Sequence, residues 1–204
     1  MRRTKLFMSI VDQLKLLQER LNAVFQMIKL LDEYYSQRDD LAKTKFAYYF
    51  EVMYSYINRY LVLELDRLDD NAPDCVSISS LKKEVAINFD TIFPKEQKNV
   101  YGLENCNITK DQMMERISTI FSKHINSIRS KVDIIRNKSG LAHGQPETFD
   151  VMLSMEEVKE LAKAYASFLN MVDERLNNSN FAFGKGLIEE KGLSELVSSL
   201  TKSD

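Results

Sequence analysis

The sequence predicts an all-α protein, an antiparallel bundle of about four long helices with short additional helices. Two observations indicate this fold class. Only 6 glycines and 3 prolines occur in 204 residues, so turns are few and regular segments are long. Apolar residues recur three or four positions apart along most of the chain, which is the spacing of one face of an α-helix. We therefore expect packed helices rather than a sandwich or barrel of short strands.

The composition is that of a globular protein, with 44% hydrophobic and 28% charged residues and a formal net charge of −2. A chain of this net charge binds nucleic acid only through a local basic patch. Cys75 and Cys106 are far apart and lack Cys-x-x-Cys spacing, so we expect reduced thiols. Charged and polar residues interrupt the first apolar stretch, and no run approaches the ~18 residues of a membrane span. We expect a cytoplasmic protein that does not contact a membrane.

The first two long helices are predicted over residues 6–35 and 41–68. The first carries one apolar stripe, made of Leu14, Leu17, Leu21, Val24, Ile28 and Leu31. The second is apolar and aromatic on nearly every side, which predicts the central helix of the bundle, a subunit contact, or both. Its tyrosines also suit base stacking, although tyrosines at helical spacing are more often core residues. A polar break over 36–40 separates the two helices, and Asp39 or Asp40 would cap the second.

Two capping boxes mark the start of the remaining long helices. Thr109-Lys-Asp-Gln112 opens a helix that we expect to run without interruption through Ile135, and Ser154-Met-Glu-Glu157 opens one that ends near residue 176. Before the first box, a short helix is predicted over 79–87 and an inserted loop over 88–108. We therefore divide the chain into a helical domain, 1–178, and a carboxy-terminal tail, 179–204, with a short amphipathic helix.

The segment from Arg136 to His143 concentrates the chemistry of the chain. Residues seven apart return to nearly the same face of a helix, so Arg129, Arg136 and His143 would form one polar stripe. Between residues 123 and 138 there are five lysines or arginines and one aspartate. In a chain of negative net charge, this basic patch is the expected landing site for a phosphate backbone. Arg129, Lys131 and Lys138 are the candidate RNA-binding residues.

An arginine and a histidine held together can cleave RNA. Histidine titrates near neutrality, so His143 could accept the proton of a ribose 2′-hydroxyl or protonate the leaving 5′-oxygen. Arg136 could stabilise the negative charge that builds on the phosphate, and Asn137 could hold a phosphate oxygen or orient the imidazole. This chemistry requires neither a metal ion nor another cofactor, and we expect none.

A structural interpretation accounts for the same spacing. An arginine in an ion pair and a histidine that caps a helix end are common, and the spacing alone favours that interpretation.

The chain shows no glycine-rich phosphate loop, dinucleotide fingerprint or nucleophile turn, and its second histidine, His124, has no neighbouring metal ligands. We expect His124 on the apolar side of its helix beside Phe121 and Ile128, as a core or rim residue.

The segment Arg136-Asn-Lys-Ser-Gly-Leu-Ala-His143 resembles the defining motif of the HEPN superfamily, which is an arginine, a short spacer that begins with a polar residue, and a histidine. Arg67-Leu-Asp-Asp70 resembles a run at the end of an aromatic helix in abortive-infection members. The resemblance implies a HEPN-like helical bundle, with Arg136 and His143 as the catalytic pair and Asn137 in support. Glu64 and Asp66 are the candidates for an acidic partner of that pair.

The functional expectation that follows from the resemblance is a metal-independent endoribonuclease of phage defence or of a toxin–antitoxin system. It would leave a 2′,3′-cyclic phosphate and a 5′-hydroxyl, act as a homodimer, and pair with an antitoxin or nucleotidyltransferase. The alternative is a non-catalytic HEPN-like module that binds a partner protein.

Overall fold

The computed structural model describes residues 8–72, 75–99, 101–138, 153–184 and 195, and this part of the chain is helical without any strand. The helices are α1 (Ile10–Leu41), α2 (Ala47–Asp69), α3 (Ile78–Ile92), α4 (Lys110–Ile120), α5 (Lys123–Lys138) and α6 (Met155–Asn177). The all-α class predicted from the sequence is confirmed. None of the described helices has the length and apolar character needed to cross a membrane.

α1 and α6 form the centre of the core. α1 packs against α2, α3 and α6, and the apolar stripe predicted for it is buried. α6 supplies further core residues, among them Leu161, Tyr165, Phe168, Leu169 and Val172, all at most 1% exposed. Each such side chain contributes roughly 1.5–3 kcal/mol through removal from water, so these two helices account for much of the stability of the fold.

The corner between α1 and α2 differs from the prediction. α1 continues through the polar run 36–40 and ends at Leu41, whose side chain is only 1% exposed and anchors the last turn. Polar residues on the outer side of a helix do not interrupt it when an apolar residue holds the inner side. Neither Asp39 nor Asp40 caps α2; Asp40 binds Lys43 at 2.8 Å, and Phe46 takes the N-cap position without a side-chain hydrogen bond.

α2 buries one side only. Phe50, Tyr54, Leu61, Leu65 and Leu68 face the core, and the ring of Tyr54 stacks on Tyr34 with centroids 3.8 Å apart. The opposite side carries the tyrosine face, which we define as Tyr48, Tyr49, Tyr56 and Tyr60, with exposed fractions of 82%, 65%, 66% and 51%. The prediction of a helix covered on all sides within the bundle is therefore wrong, and the subunit contact stays a prediction.

The helix predicted from Thr109 through Ile135 is two helices. The Thr109–Gln112 capping box is present, but α4 ends at Ile120 because Phe121 leaves the helical conformation, with φ −93° and ψ 53°. Its carbonyl oxygen accepts a hydrogen bond of 2.8 Å from Asn126 Nδ2, and its ring packs 5.8 Å from that of Phe168. Burial of this ring accompanies a break that helical periodicity does not reveal.

The structure describes most of the segment predicted as an inserted loop over 88–108. α3 extends to Ile92, and the irregular segment that follows is tied to the end of α6. Asn105 Nδ2 donates to Glu174 Oε2 at 2.6 Å, and Gln97 Nε2 donates to the carbonyl of Leu176 at 2.9 Å. In the carboxy-terminal tail, the ring of Phe183 packs on that of Phe25, with centroids 5.7 Å apart. The amphipathic helix predicted in this tail lies outside the described residues, apart from residue 195.

The capping box at the start of α6 permits a direct test. Ser154 Oγ accepts from the amide of Glu157 at 3.2 Å, and Glu157 Oε2 accepts from the amide of Ser154 at 2.9 Å. We expect Ser154→Ala to lower the free energy of unfolding by about 1 kcal/mol, because two amides lose their capping geometry. Ser167→Ala is the matched control, since Ser167 Oγ bonds only the carbonyl of Lys163 within α6. Equal urea midpoints for the two variants would contradict the stabilising role of the box.

Candidate functional site

Arg136 lies near the end of α5 and forms an ion pair with Asp66 of α2. Its Nε lies 3.1 Å from Asp66 Oδ2, and its Nη1 donates to Oδ1 at 3.5 Å. The Asp66 side chain is 7% exposed, whereas that of Arg136 is 40% exposed. Leu65 and Leu68 bury this part of α2 in the core, so the carboxylate of Asp66 is held rigidly below a guanidinium that reaches solvent.

Burial and the guanidinium of Arg136 act in opposite directions on the pKa of Asp66. Burial raises the pKa of the Asp66 carboxyl above its ordinary value, and the Arg136 guanidinium counteracts part of that rise. The negative charges of Asp133, Asp70 and Asp69 raise the same pKa further. Burial also raises the pKa of Asp133, and Asp69 adds to that effect. The end of α2 thus gathers carboxylates around two arginines, Arg136 and Arg129.

Arg129 is bound on three sides within the fold. Its Nε pairs with Asp69 Oδ2, its Nη2 donates to Ser79 Oγ at 3.1 Å, and its Nη1 donates to Asn126 Oδ1 at 3.0 Å. Ser79 in turn donates to Asp69 Oδ1 at 2.7 Å. The Arg129 side chain is 19% exposed, so a phosphate would reach the guanidinium only by displacing one of these partners.

The other predicted RNA-binding residues lie on the same helix. Lys131 Nζ forms an ion pair with Glu157 at the start of α6, and its side chain is 36% exposed. Asn137 is exposed in the last turn of α5, and Lys138 is the final residue of that helix. Arg129, Lys131, Arg136 and Asn137 all lie on α5. His143 lies outside the described residues.

Sequence reasoning missed most of the partners of these cations. The sequence places Asp69 in the run Arg67-Leu-Asp-Asp70 and Ser79 in a predicted short helix, and it predicts neither as a partner of an arginine. Lys82 and Tyr165 complete the cluster: Lys82 Nζ lies 3.8 Å from the centroid of the Phe121 ring. Burial lowers the pKa of Lys82 and raises that of Tyr165 well above its ordinary value. No sequence signal links these residues, because they come from different helices.

His124 is exposed rather than on the apolar side of its helix, so that prediction is wrong. Its Nε2 lies 2.7 Å from Glu160 Oε2 of α6, and its side chain is 64% exposed. The break at Phe121 changes the helical phase, which places His124 in the first turn of α5 and on its outer side. In the described ranges, no group of three or more His, Cys, Asp or Glu side chains is arranged to hold a metal ion.

Comparison of the chain with protein-family models, with curated proteins and with solved structures found no match.

Proposed function

We propose that this protein is a metal-independent endoribonuclease of HEPN type, which cleaves RNA through its 2′-hydroxyl in phage defence or in a toxin–antitoxin system. The proposal rests on the motif from Arg136 to His143 and is supported by one structural observation. The guanidinium of Arg136 is fixed by the buried Asp66 and still reaches solvent at the end of α5. In the proposed fold, the six helices belong to a HEPN-like antiparallel bundle built around about four long elements.

The geometry of Arg136 leaves donors for a phosphate. A guanidinium carries five N–H donors in a planar fork, and a carboxylate occupies one edge of it. Asp66 Oδ1 accepts a hydrogen bond from Nη1 and Asp66 Oδ2 lies 3.1 Å from Nε, whereas Nη2 has no acceptor in the described part of the chain. An arginine fixed at one edge and open at the other can hold a phosphate oxygen without first losing side-chain entropy.

In the proposed reaction, His143 accepts the proton of the 2′-hydroxyl or protonates the leaving 5′-oxygen. Arg136 stabilises the charge on the phosphate, and the exposed Asn137 contacts the same group or orients the imidazole. Arg129, Lys131 and Lys138 belong to the RNA-binding surface of the proposal, and Arg129 would contact a phosphate by exchanging one of its present partners, Asp69, Ser79 or Asn126, for it.

We also propose that the active form is a cytoplasmic homodimer, with an antitoxin or nucleotidyltransferase as a further partner. The tyrosine face of α2 supports a two-fold contact. Four tyrosines, each at least half exposed, provide large apolar rings with a polar end, and such residues are enriched at protein interfaces.

The test is incubation of the purified protein with total RNA in EDTA. Wild-type protein should cleave RNA but not DNA and leave 2′,3′-cyclic phosphate ends, and His143→Ala should abolish cleavage. His124→Ala is the matched control, because His124 is the other histidine of the chain and pairs with Glu160 on the surface. Cleavage that requires added metal, that is absent from wild type, or that survives His143→Ala would contradict the proposal.

A second candidate function is a non-catalytic HEPN-like module that binds a partner protein, and the exposed tyrosine face supports this contact as well as it supports the homodimer. Expression in cells separates the two candidates. Growth arrest that disappears with His143→Ala supports the nuclease. A partner that co-purifies with wild type and is lost with Tyr56→Ser, with no toxicity after the partner is removed, supports the module.

A further inference from the structure

A cavity of about 330 Å³ lies at the start of α4, between the end of α3 and the irregular segment that follows it. Its walls include Phe89, Phe93, Pro94 and Ile108, and its charged residues are Lys95, Lys110, Arg175 and Asp90. Glu157 at the start of α6 pairs with Lys131 of α5, the helix that carries Arg136. Arg175 lies 18 residues after Glu157 on α6, which corresponds to about 27 Å along the helix. The cavity is therefore remote from Arg136, and nothing in the proposed nuclease mechanism uses it.

Arg175 has a donor without a partner. Its side chain is 4% exposed; Nε donates to the carbonyl of Ile108 at 3.1 Å, and Nη2 donates to the carbonyl of Pro94. Nη1 is buried and makes no hydrogen bond. The guanidinium carbon lies 5.7 and 5.6 Å from the ring centroids of Phe89 and Phe93, and burial lowers the pKa of this group. A charged donor left unsatisfied in a buried position is costly, so this nitrogen points to a missing acceptor.

The first turn of α4 adds a further donor at the same cavity. The capping box satisfies the amides of Thr109 and Gln112. The amide of Lys110, a residue of the cavity lining, remains, because the first amides of an α-helix have no partner within the helix. Among the described residues, this amide donates to no acceptor. A helix start with unoccupied amides carries partial positive charge and binds anions.

The charge of the lining selects the ligand. Lys95, Lys110 and Arg175 oppose Asp90, which leaves two net positive charges around a cavity with aromatic walls. We propose that this cavity binds a small phosphate monoester as its dianion. The phosphate lies at the start of α4 beside Arg175, and the organic group lies against Phe89 and Phe93. The volume is at the lower end of the range for small-molecule sites, which suits a compact ligand.

The proposal is tested by titration calorimetry on the full chain with phenyl phosphate, inorganic phosphate and benzoate. Phenyl phosphate should bind at least about tenfold more tightly than inorganic phosphate, because only it contacts the aromatic walls. Benzoate, a monoanion with the same ring, should bind more weakly than phenyl phosphate. Absence of binding heat with phenyl phosphate at millimolar concentration would overturn the proposal, and equal affinities for all three anions would do the same.

Two substitutions should act in opposite directions. Lys110→Ala should raise the Kd for phenyl phosphate about tenfold, and Asp90→Asn should lower it, because the first removes a positive charge and the second a negative one. Lys83→Ala is the matched control, since Lys83 is an exposed lysine of α3 outside the cavity lining. Equal effects of Lys110→Ala and Lys83→Ala, or weaker binding in Asp90→Asn, would overturn the site. Thermal unfolding of each variant shows that the compared chains are folded.

Discussion

In the proposed nuclease, replacing Arg136 by alanine is expected to lower the rate of RNA cleavage about 10²–10³-fold, since the transition state loses a preorganised positive charge. Asp66→Asn is expected to lower the same rate by up to about 10²-fold. The asparagine keeps the shape of the side chain but not its charge, so the guanidinium loses the anchor that holds Nε and Nη1. Single-turnover cleavage of a defined RNA, with the variants in excess over substrate, measures both effects on the chemical step.

Glu64→Gln is the matched control for Asp66→Asn. Glu64 is an equally buried acid of α2, at 7% exposed, and it pairs with Arg67 at 2.6 Å rather than with Arg136. Its substitution should leave cleavage unchanged. If Glu64→Gln and Asp66→Asn lower the rate equally, loss of a buried charge, and not the orientation of Arg136, explains the effect. Urea denaturation of both variants shows whether they are folded under the assay conditions.

The largest effect on stability is expected from Asp69→Ala, at about 3–5 kcal/mol of the free energy of unfolding. The side chains of Asp69 and Arg129 are 11% and 19% exposed, so removal of the carboxylate leaves a largely buried guanidinium without its counter-ion. Ser79 loses the acceptor of its 2.7 Å hydrogen bond as well. Urea-induced unfolding, followed by circular dichroism, measures the change.

The double variant Asp69→Ala with Arg129→Met tests the cause. Because the cost arises from an uncompensated charge, the double variant should be more stable than Asp69→Ala alone. Asp40→Ala is the control, since Asp40 pairs with Lys43 on the surface at 2.8 Å, and no measurable change is expected there. A double variant that is less stable than Asp69→Ala would show that Arg129 stabilises the fold through its packing on Phe121 and its other hydrogen bonds.

Most helices of this protein could be predicted because their signals are local. The stripe from Leu14 to Leu31 repeats with helical period, and the Thr109 and Ser154 capping boxes are each complete within four residues. The errors arose where a distant contact overrides a local signal. The polar run 36–40 remains helical because Leu41 is buried, and α4 ends where the ring of Phe121 packs against Phe168 of α6.

The candidate site, like the fold, could be predicted only where the signal is local. The sequence by itself determined that Arg129 and Arg136 share one stripe of α5, because seven residues are nearly two helical turns. Only the tertiary structure decided that Asp66 and Asp69 are their partners, since these carboxylates precede the arginines by 70 and 60 residues. Packing of α2 against α5 sets both distances and burial, and burial determines which arginine is closed within the fold and which still reaches solvent.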